Sequence, residues 1–221
     1  VLDVDILIYK KENNIFSFLK RYFKYKMIIG ILGNKGHGKD TISDHLVSKY
    51  KFHKKAFGEP LKEICQTLFG FNHEQLYGNL KEIKDKYWGV TPRKVMQFVG
   101  TELFRNKMIE LIPGISQNFW LECMRRQIGK YDRLVISDVR FQNEVDFIHE
   151  MNGIVIKVER GNKEIKDNHT SESEIRQIVN YDFYVENDSD LQTLYCKIDN
   201  LCQQLKILPV DTNFDKYVLG C

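Results

Sequence analysis

Residues 27–41 decide the fold, and they read MIIGILGNKGHGKDT. The first six residues are apolar and predict a buried strand from Met27 to Leu32. The next residues have the spacing G-x-x-x-x-G-K, the pattern of a loop that wraps its backbone N–H groups around phosphate oxygens. An amphipathic segment from Thr41 to Tyr50 follows. The loop therefore has the preceding strand and the following helix that a phosphate site of this kind requires.

Glycine and lysine give this loop its chemistry. Gly33, Gly36 and Gly38 are expected to take left-handed backbone angles, which turn successive N–H groups inward around the phosphates. Lys39 would then bring a positive charge to the outer phosphates, next to the positive end of the following helix. The residues of this stretch that we expect to hold the nucleotide are Gly33, Lys35, Gly36, Gly38, Lys39, Asp40 and Thr41.

One position departs from the usual phosphate loop. Ser or Thr normally follows the lysine and binds magnesium, whereas this chain has Asp40 there and Thr41 one residue later. The carboxylate of Asp40 could bind Mg²⁺ directly or through the water shell of the ion. Alternatively, Asp40 only favours the positive end of the helix and Thr41 holds the metal. We expect the metal-binding role for Asp40, with Thr41 as the second candidate ligand.

Composition excludes several classes of protein. The 221 residues suffice for one domain with a sizeable core and an inserted lid. The formal net charge of +3 is too small to argue for a nucleic-acid partner, but it suits anionic small-molecule substrates. The five cysteines are scattered without a C-x-x-C pair, which argues against a disulfide framework or a zinc site and fits the cytoplasm. No apolar run is long enough to span a bilayer, so we expect no membrane partner.

Residues 1–26 are expected to be a dispensable N-terminal extension. The stretch 16–26 mixes aromatic and basic residues, which would also suit a helix on a membrane surface or on nucleic acid. A mitochondrial transit segment is a further alternative, but Asp3, Asp5 and Glu12 argue against it. We expect the folded domain to span residues 27–209, with a short tail over 210–221.

The order of apolar and polar segments predicts an α/β fold of three layers, in which a parallel sheet has helices on both faces. The predicted strands are Met27–Leu32, Phe52–Phe57, Leu134–Ile136, Ile154–Glu159 and Phe183–Val185. The predicted helices are Asp40–Lys49, one carrying Leu61, Ile64, Leu68 and Phe69, one opening at Thr91, one opening at Ser116, Asn143–Met151, 171–178 and Leu191–Leu205. The segment 70–90 lacks periodicity and is expected to be a mobile excursion, and the polar run 161–169 to be a lid.

An acidic residue ends the predicted strand at 134–136. Asp138 follows that strand at its carboxyl end, where ligands collect in parallel sheets and where phosphate-loop enzymes place the Asp that organises magnesium or substrate. Arg140 can form two hydrogen bonds to phosphoryl oxygens. Lys39, Asp138 and Arg140 are therefore the expected catalytic residues. Arg160, which precedes the predicted lid, would close onto the nucleotide.

A helix opening at Thr91 would carry a polar stripe. Arg93, Gln97, Thr101 and Arg105 recur every four residues and would lie on one helix face. The residues expected on the buried side are Val95, Met96, Phe98 and Val99. An arginine for a monophosphate and an amide for the edge of a base would suit a nucleotide acceptor, whereas a solvated helix face is the default interpretation of such a stripe alone.

Five motifs occur in the order seen in the deoxynucleoside monophosphate kinases of bacteriophages and large viruses. They are G-K-D-T at 38–41, G-E-P-L-K at 58–62, R-x-x-x-Q-x-x-G-T-E at 93–102, Trp120, and D-V-R-x-x-x-E at 138–144. The ending Glu186-Asn187-Asp188 before the last helix is also similar. Between about Met27 and Leu208 the chain therefore resembles that family of phosphate-loop kinases.

The resemblance implies a reaction and a set of site residues. It implies transfer of phosphate from ATP to a deoxynucleoside monophosphate, with ATP and Mg²⁺ held through Lys39, Asp40 and Thr41. The residues that it implies around the deoxynucleotide are Leu61, Lys62, Arg93, Gln97, Gly100, Thr101, Trp120 and Arg140. It leaves open which bases are accepted and whether the protein forms a homodimer.

Two other classes of protein share parts of the pattern. An animal-type phosphomevalonate kinase also resembles the G-K-D loop, but Gln97 and Trp120 favour a planar base over an isoprenoid acid. A nucleotide-dependent switch of the GTPase class would need an N-K-x-D motif to read guanine, and the sequence contains none.

Overall fold

The protein folds around a five-stranded parallel sheet. The computed structural model describes residues 26–115, 118–161, 175 and 177–210. The strands are β1 (Met27–Leu32), β2 (His53–Lys55), β3 (Arg133–Val139), β4 (Ile154–Glu159) and β5 (Phe183–Glu186). Their order in the sheet is β2-β3-β1-β4-β5, and every neighbouring pair is parallel. Parallel neighbours require crossover connections, which the helices supply.

The helices alternate with the strands along most of the chain. They are α1 (Lys39–Tyr50), α2 (Glu59–Phe69), α3 (His73–Leu76), a 3₁₀-helix (Asn79–Glu82), α4 (Pro92–Gln97), a π-helix (Phe98–Lys107), α5 (Met108–Leu111), α6 (Phe119–Ile128), α7 (Gln142–Glu150) and α8 (Leu191–Gln204). The predicted α/β fold class is confirmed, and each predicted strand is present within a few residues of its expected bounds.

Side chains of the central strand β1 alternate between two apolar cores. Ile28 and Leu32 pack on one face of the sheet, in a cluster with side chains of α6 and α7. Ile29 and Ile31 pack on the other face, where side chains of α1 and α8 cover them. Because successive residues of a strand point to opposite faces, an all-apolar strand such as β1 must be covered on both sides. The three layers follow from this requirement.

A third, smaller cluster lies beside the sheet and is built from the segment between β2 and β3. Its buried members are Cys65, Phe71, Leu76, Val95 and Val99. The part at 70–90 was expected to lack regular structure, but it contains α3 and the 3₁₀-helix. Reciprocal hydrogen bonds of 3.0 Å between Asn72 and Gln75 cap α3, and Asp85 accepts hydrogen bonds from two backbone N–H groups. Local polar contacts and the burial of two isolated apolar side chains, Phe71 and Leu76, order this segment, which is why apolar periodicity did not reveal it.

The polar helix at 92–107 changes its pitch partway along. Thr91 caps α4 as predicted, accepting a hydrogen bond from the backbone N–H of Lys94 at 3.2 Å. From Phe98 the helix is π-helical. A four-residue step overshoots one α-helical turn by about 40° but falls short of a full turn in the wider π-helix. The change therefore corrects the drift of the polar stripe and keeps it on one face. Phe98, where the change begins, was predicted on the buried side, but its side chain is 61% exposed.

Some predictions concern residues that the structure does not describe. Residues 1–25, Ser116, most of the expected lid at 161–169, most of the expected helix at 171–178, and the tail from 211 lie outside the described residues. The helix expected to open at Ser116 is described from Phe119. In the described part of the chain, no helix has the length and apolar character needed to cross a membrane.

We predict that Gly33→Ala destabilises the protein. A Cβ at position 33 would lie 2.5 Å from the backbone carbonyl oxygen of Val158 in β4, and backbone cannot yield cheaply. We expect the free energy of unfolding in urea to fall by about 1–3 kcal/mol. Gly129→Ala is the control, because its Cβ would meet only the Lys26 Nζ at 3.7 Å. Equal stability of the two variants would contradict this account.

Candidate active site

The loop between β1 and α1 has the backbone that the motif predicts at two of its three glycines. Gly36 and Gly38 have φ angles of 81° and 103°, in the left-handed region that favours glycine. Gly33 differs from the prediction, because it does not have a positive φ. It is glycine because the chain packs there against the backbone of Val158. Its role is close packing, and it lines neither of the cavities described below.

Residues at the carboxyl ends of β4 and β5 hold the loop in place. The side-chain amide of Asn187 donates a 3.0 Å hydrogen bond to the carbonyl oxygen of His37. The backbone N–H of Arg160 donates to the His37 Nδ1 at 3.3 Å. A Cβ on Gly38 would lie 2.7 Å from the Asn187 amide nitrogen. His37 and Asn187 thus position the loop. Sequence reasoning missed this role, although Asn187 lies in the Glu186-Asn187-Asp188 motif before the last helix.

Lys39 is buried at the first turn of α1. Its Nζ donates a 2.9 Å hydrogen bond to the carbonyl oxygen of Asn34, five residues earlier in the same loop. This contact folds the Lys39 side chain back over the loop.

Two cavities meet at this lysine. The larger has a volume of about 400 Å³, and the smaller a volume of about 290 Å³. Gly36, Lys39 and Asp40 line both. The end of the phosphate loop therefore separates two spaces, each large enough for part of a nucleotide.

The predicted site residues divide between the two cavities. All eight predicted to surround the deoxynucleotide line the larger cavity: Leu61, Lys62, Arg93, Gln97, Gly100, Thr101, Trp120 and Arg140. Most of those predicted to hold ATP line the smaller one: Gly36, Gly38, Lys39, Asp40, Thr41 and Arg160. Lys35, assigned with them, lines only the larger cavity, as does Asp138. The structure brings these side chains together, and their chemical roles stay predictions.

Asp40 has a partner that the motif did not reveal. Its Oδ1 accepts a 2.8 Å hydrogen bond from Lys54 of β2, and Lys54 also contacts Asp44 at 2.9 Å. Burial raises the pKa of Asp40, but the hydrogen bond from Lys54 and the charges of Lys54 and Lys39 outweigh it and hold that pKa below its usual value. The carboxylate is therefore ionised at neutral pH, as a magnesium ligand must be.

The oxygen ligands available at the loop suit magnesium, and they are too few to enclose a metal ion held entirely by protein side chains. In the described ranges, no three His, Cys, Asp or Glu side chains are grouped to hold a metal ion. Magnesium usually takes one or two carboxylates together with waters and substrate phosphates. Asp40 lines both cavities and Thr41 lines the smaller one, so both face the space that phosphates would occupy.

Asp138 is tied to the backbone of another element. Its two carboxylate oxygens accept hydrogen bonds from the backbone N–H groups of Phe57 at 2.7 Å and Gly58 at 2.9 Å. These contacts fasten the turn that starts α2 to the end of β3. Its predicted role in organising magnesium or substrate stays a prediction. In the structure Asp138 positions the turn that presents Leu61 and Lys62 to the larger cavity.

Glu144 is a buried acid that lines the larger cavity. One carboxylate oxygen accepts a 2.7 Å hydrogen bond from the backbone N–H of Arg140, and the other lies 3.3 Å from the Arg105 guanidinium. Arg105 also stacks over the ring of Phe141, 3.9 Å from its centroid. Sequence reasoning placed Arg105 in the polar stripe and Glu144 in a motif, but it assigned neither to the site.

Burial and charge shift the titration of Glu144. Its removal from water is the main cause that raises its pKa, and the negative charge of Asp138 adds to it. The charge of Arg105 and the N–H groups of Arg140 and Phe141 oppose the shift, and the resulting pKa is about 7.

The larger cavity is lined by both cationic and apolar side chains. Seven Lys or Arg residues line it, against three acids. The apolar wall includes Leu61, Met96 and Trp120. The Trp120 indole N–H donates a 3.0 Å hydrogen bond to the carbonyl oxygen of Gly100 in the π-helix, and a Cβ on Gly100 would lie 2.7 Å from Leu61. Such a cavity suits a ligand with an anionic group at one end and a planar apolar body at the other.

We predict that the stability of the protein depends on pH through Glu144. The pKa of Glu144 in the folded protein lies above the ordinary 4.5. At pH values between the two pKa values, the folded protein therefore still holds a proton that the unfolded chain has already released. The free energy of unfolding should therefore decrease as pH rises from about 5 to 8, by about 1–3 kcal/mol more in the wild type than in Glu144→Gln. Urea denaturation at several pH values measures this, and parallel profiles would contradict it.

Known proteins share this sequence pattern. A family model described as deoxynucleotide monophosphate kinase matches residues 67–198. A protein of Acanthamoeba polyphaga mimivirus, described as a candidate deoxynucleotide monophosphate kinase, is 38% identical over 181 residues, which are 78% of this chain and 94% of the relative. The deoxynucleotide monophosphate kinase of Enterobacteria phage T4 is 30% identical over 134 residues, 58% of this chain and half of that enzyme.

A solved structure, the dephospho-CoA kinase from Campylobacter jejuni, is 14% identical with a TM-score of 0.44, covering 80% of this chain and 96% of that one.

The family model spans more than half of the chain, and the mimivirus relative is matched along almost its whole length. The protein therefore belongs to the deoxynucleotide monophosphate kinase family.

Proposed function

We propose that this kinase transfers the γ-phosphoryl group of ATP to a deoxynucleoside monophosphate, forming the diphosphate that supplies deoxynucleoside triphosphate synthesis. Membership of the family supports the reaction class. The observation that carries the proposal is the pair of cavities that meet at Lys39 and Asp40. A phosphoryl transfer needs the donor and acceptor on opposite sides of the transferred group, and this arrangement offers that geometry.

ATP would occupy the smaller cavity and the deoxynucleotide the larger. In the smaller one, the glycine N–H groups of the loop and the helix start of α1 would hold the phosphates, and Arg160 would lie beside them. In the larger one, the cationic side chains would take the monophosphate, and the wall with Met96 and Trp120 would take the base. Gln97 would offer an amide to the edge of the base.

The catalytic contribution would come from positioning and charge neutralisation, since phosphoryl transfer asks little covalent chemistry of the protein. Lys39 faces both cavities and would neutralise the charge that develops on the transferred group. Arg140 lines the acceptor side, where its fork of N–H groups suits phosphoryl oxygens. Asp138, fastened to the turn before α2, would act by positioning.

Magnesium would be held through Asp40 and Thr41 together with ATP. When bound, the ion would neutralise phosphate charge at the boundary of the two cavities. The unit that performs the reaction is proposed to be residues 27–209, acting in the cytoplasm, which for a viral protein is that of the host.

A phosphomevalonate kinase remains a weaker interpretation. Nothing in the larger cavity favours it, because the wall formed by Met96 and Trp120 suits a planar base. None of the relatives named above carries that description.

We predict that the protein releases ADP from ATP when a deoxynucleoside monophosphate is added. The test measures ADP release with each of the four common deoxynucleoside monophosphates and with phosphomevalonate, at saturating magnesium. We expect turnover with at least one deoxynucleotide and background release with phosphomevalonate. Turnover with phosphomevalonate alone would overturn the proposal.

We predict that Asp40→Asn lowers kcat and raises the magnesium concentration needed for half-maximal activity, by about tenfold or more. The reason is that the change removes a charged ligand for the ion. Asp44→Asn is a matched control, because Asp44 also pairs with Lys54 but lines neither cavity. An unchanged magnesium midpoint in Asp40→Asn would show that this residue serves only the helix end.

A further inference from the structure

A lysine that belongs to none of the sequence motifs lines the larger cavity. Lys81 lies in the 3₁₀-helix Asn79–Glu82, inside the segment to which sequence reasoning gave no site residue. Its side chain shares the cavity with Lys35, Lys62 and Arg93. It does not line the smaller cavity.

The surroundings of Lys81 are positive. Among the described residues, its ammonium group forms no ion pair or hydrogen bond, in contrast to the ammonium groups of Lys54 and Lys197. Partial burial, followed by the charges of Lys62, Arg93 and Lys35, holds the pKa of Lys81 below its usual value. Like charges placed together in a cleft raise the free energy of the empty site, and a bound anion removes that cost.

The turn that carries Lys81 is fixed to the rest of the site. Glu82, the next residue, forms an ion pair with Arg93 of α4. The backbone N–H of Ile83 closes the 3₁₀-helix on the carbonyl oxygen of Leu80 at 3.1 Å. The acid of the turn thus anchors it to α4, and the lysine of the turn is left to face the cavity. This is a reason to assign Lys81 to a ligand and not to the fold.

We propose that Lys81 binds the phosphate of the acceptor nucleotide. The assignment rests on the proposed function, since it takes the larger cavity as the acceptor site. A monophosphate carries close to two negative charges at neutral pH, which is the charge that a cluster of Lys62, Lys81 and Arg93 would match. Because Lys81 lines the larger cavity and not the smaller one, its contact is with the acceptor and not with ATP.

The test compares Lys81→Met with Lys84→Met by titration calorimetry. Lys84 lies three residues further on, is exposed and lines neither cavity, so the control removes the same charge from the same segment. The ligands are a deoxynucleoside monophosphate, the same deoxynucleoside without its phosphate, inorganic phosphate, and ATP. Thermal unfolding midpoints verify that both variants fold.

We expect Lys81→Met to lower the affinity for the monophosphate and for inorganic phosphate by about tenfold or more, which is the contribution of one charged contact. Affinity for ATP and for the deoxynucleoside should stay as in the wild type, and Lys84→Met should behave like the wild type throughout. Lys81→Arg should recover part of the loss, because it restores the charge.

Three results would overturn the assignment. The first is equal affinity of Lys81→Met and Lys84→Met for the monophosphate. The second is that Lys81→Met loses as much affinity for the deoxynucleoside as for the monophosphate. The third is that Lys81→Met loses affinity for ATP only. Failure of the proposed function has a different signature, which is that the wild type binds no deoxynucleoside monophosphate. In that case inorganic phosphate still decides the question, since equal phosphate affinity of Lys81→Met and the wild type would exclude Lys81 as a phosphate ligand.

Discussion

The close approach of the phosphate loop to the carboxyl ends of β4 and β5 is the contact on which the site depends. Gly33 packs against the carbonyl group of Val158, and Gly38 packs against the Asn187 amide, at distances that leave no room for a Cβ. The same amide holds the His37 carbonyl group. Because the loop is fixed in this way, α1 starts with Lys39 and Asp40 between the two cavities. The glycines therefore position charge as well as allow a turn.

Two acids organise the larger cavity in a similar way. Asp138 accepts two backbone N–H groups at the start of α2, and Glu144 joins the backbone at Arg140 to the Arg105 side chain. Both carboxylates accept hydrogen bonds from groups of the protein, as the buried Glu144 in particular requires. Asp138 thus fixes the turn that precedes Lys62, and Glu144 fixes the Arg105 side chain and the backbone at Arg140. The positive charge of the seven Lys and Arg residues exceeds the negative charge of the three acids in this cavity, and a bound anion would balance the excess.

The eight residues predicted around the deoxynucleotide all line the larger cavity, but that set was implied by the resemblance to the kinase family, since the chemistry of Leu61, Gly100 and Thr101 alone would not single them out. Sequence reasoning itself predicted the sheet and the phosphate loop, because these depend on apolar runs and on a motif of fixed spacing. It missed what depends on contacts between distant segments. The Lys54 partner of Asp40 comes from a different strand, and Lys81 lies in a segment ordered by local hydrogen bonds. The α-helical period also could not show that a π-helix begins at Phe98. Inside that π-helix, the Gly100 carbonyl oxygen accepts a hydrogen bond from Trp120 of a distant segment, a contact that a helical period likewise does not reveal.

The central claim is that the two cavities hold donor and acceptor on opposite sides of Lys39. The most direct measurement uses a bisubstrate ligand in which adenosine and a deoxynucleoside are joined through a chain of phosphates. If the claim is correct, this ligand displaces both ATP and the deoxynucleoside monophosphate, and it binds at least about a hundredfold more tightly than either, because one molecule occupies both sites. Displacement of only one of the two substrates, with no gain in affinity, would contradict the account.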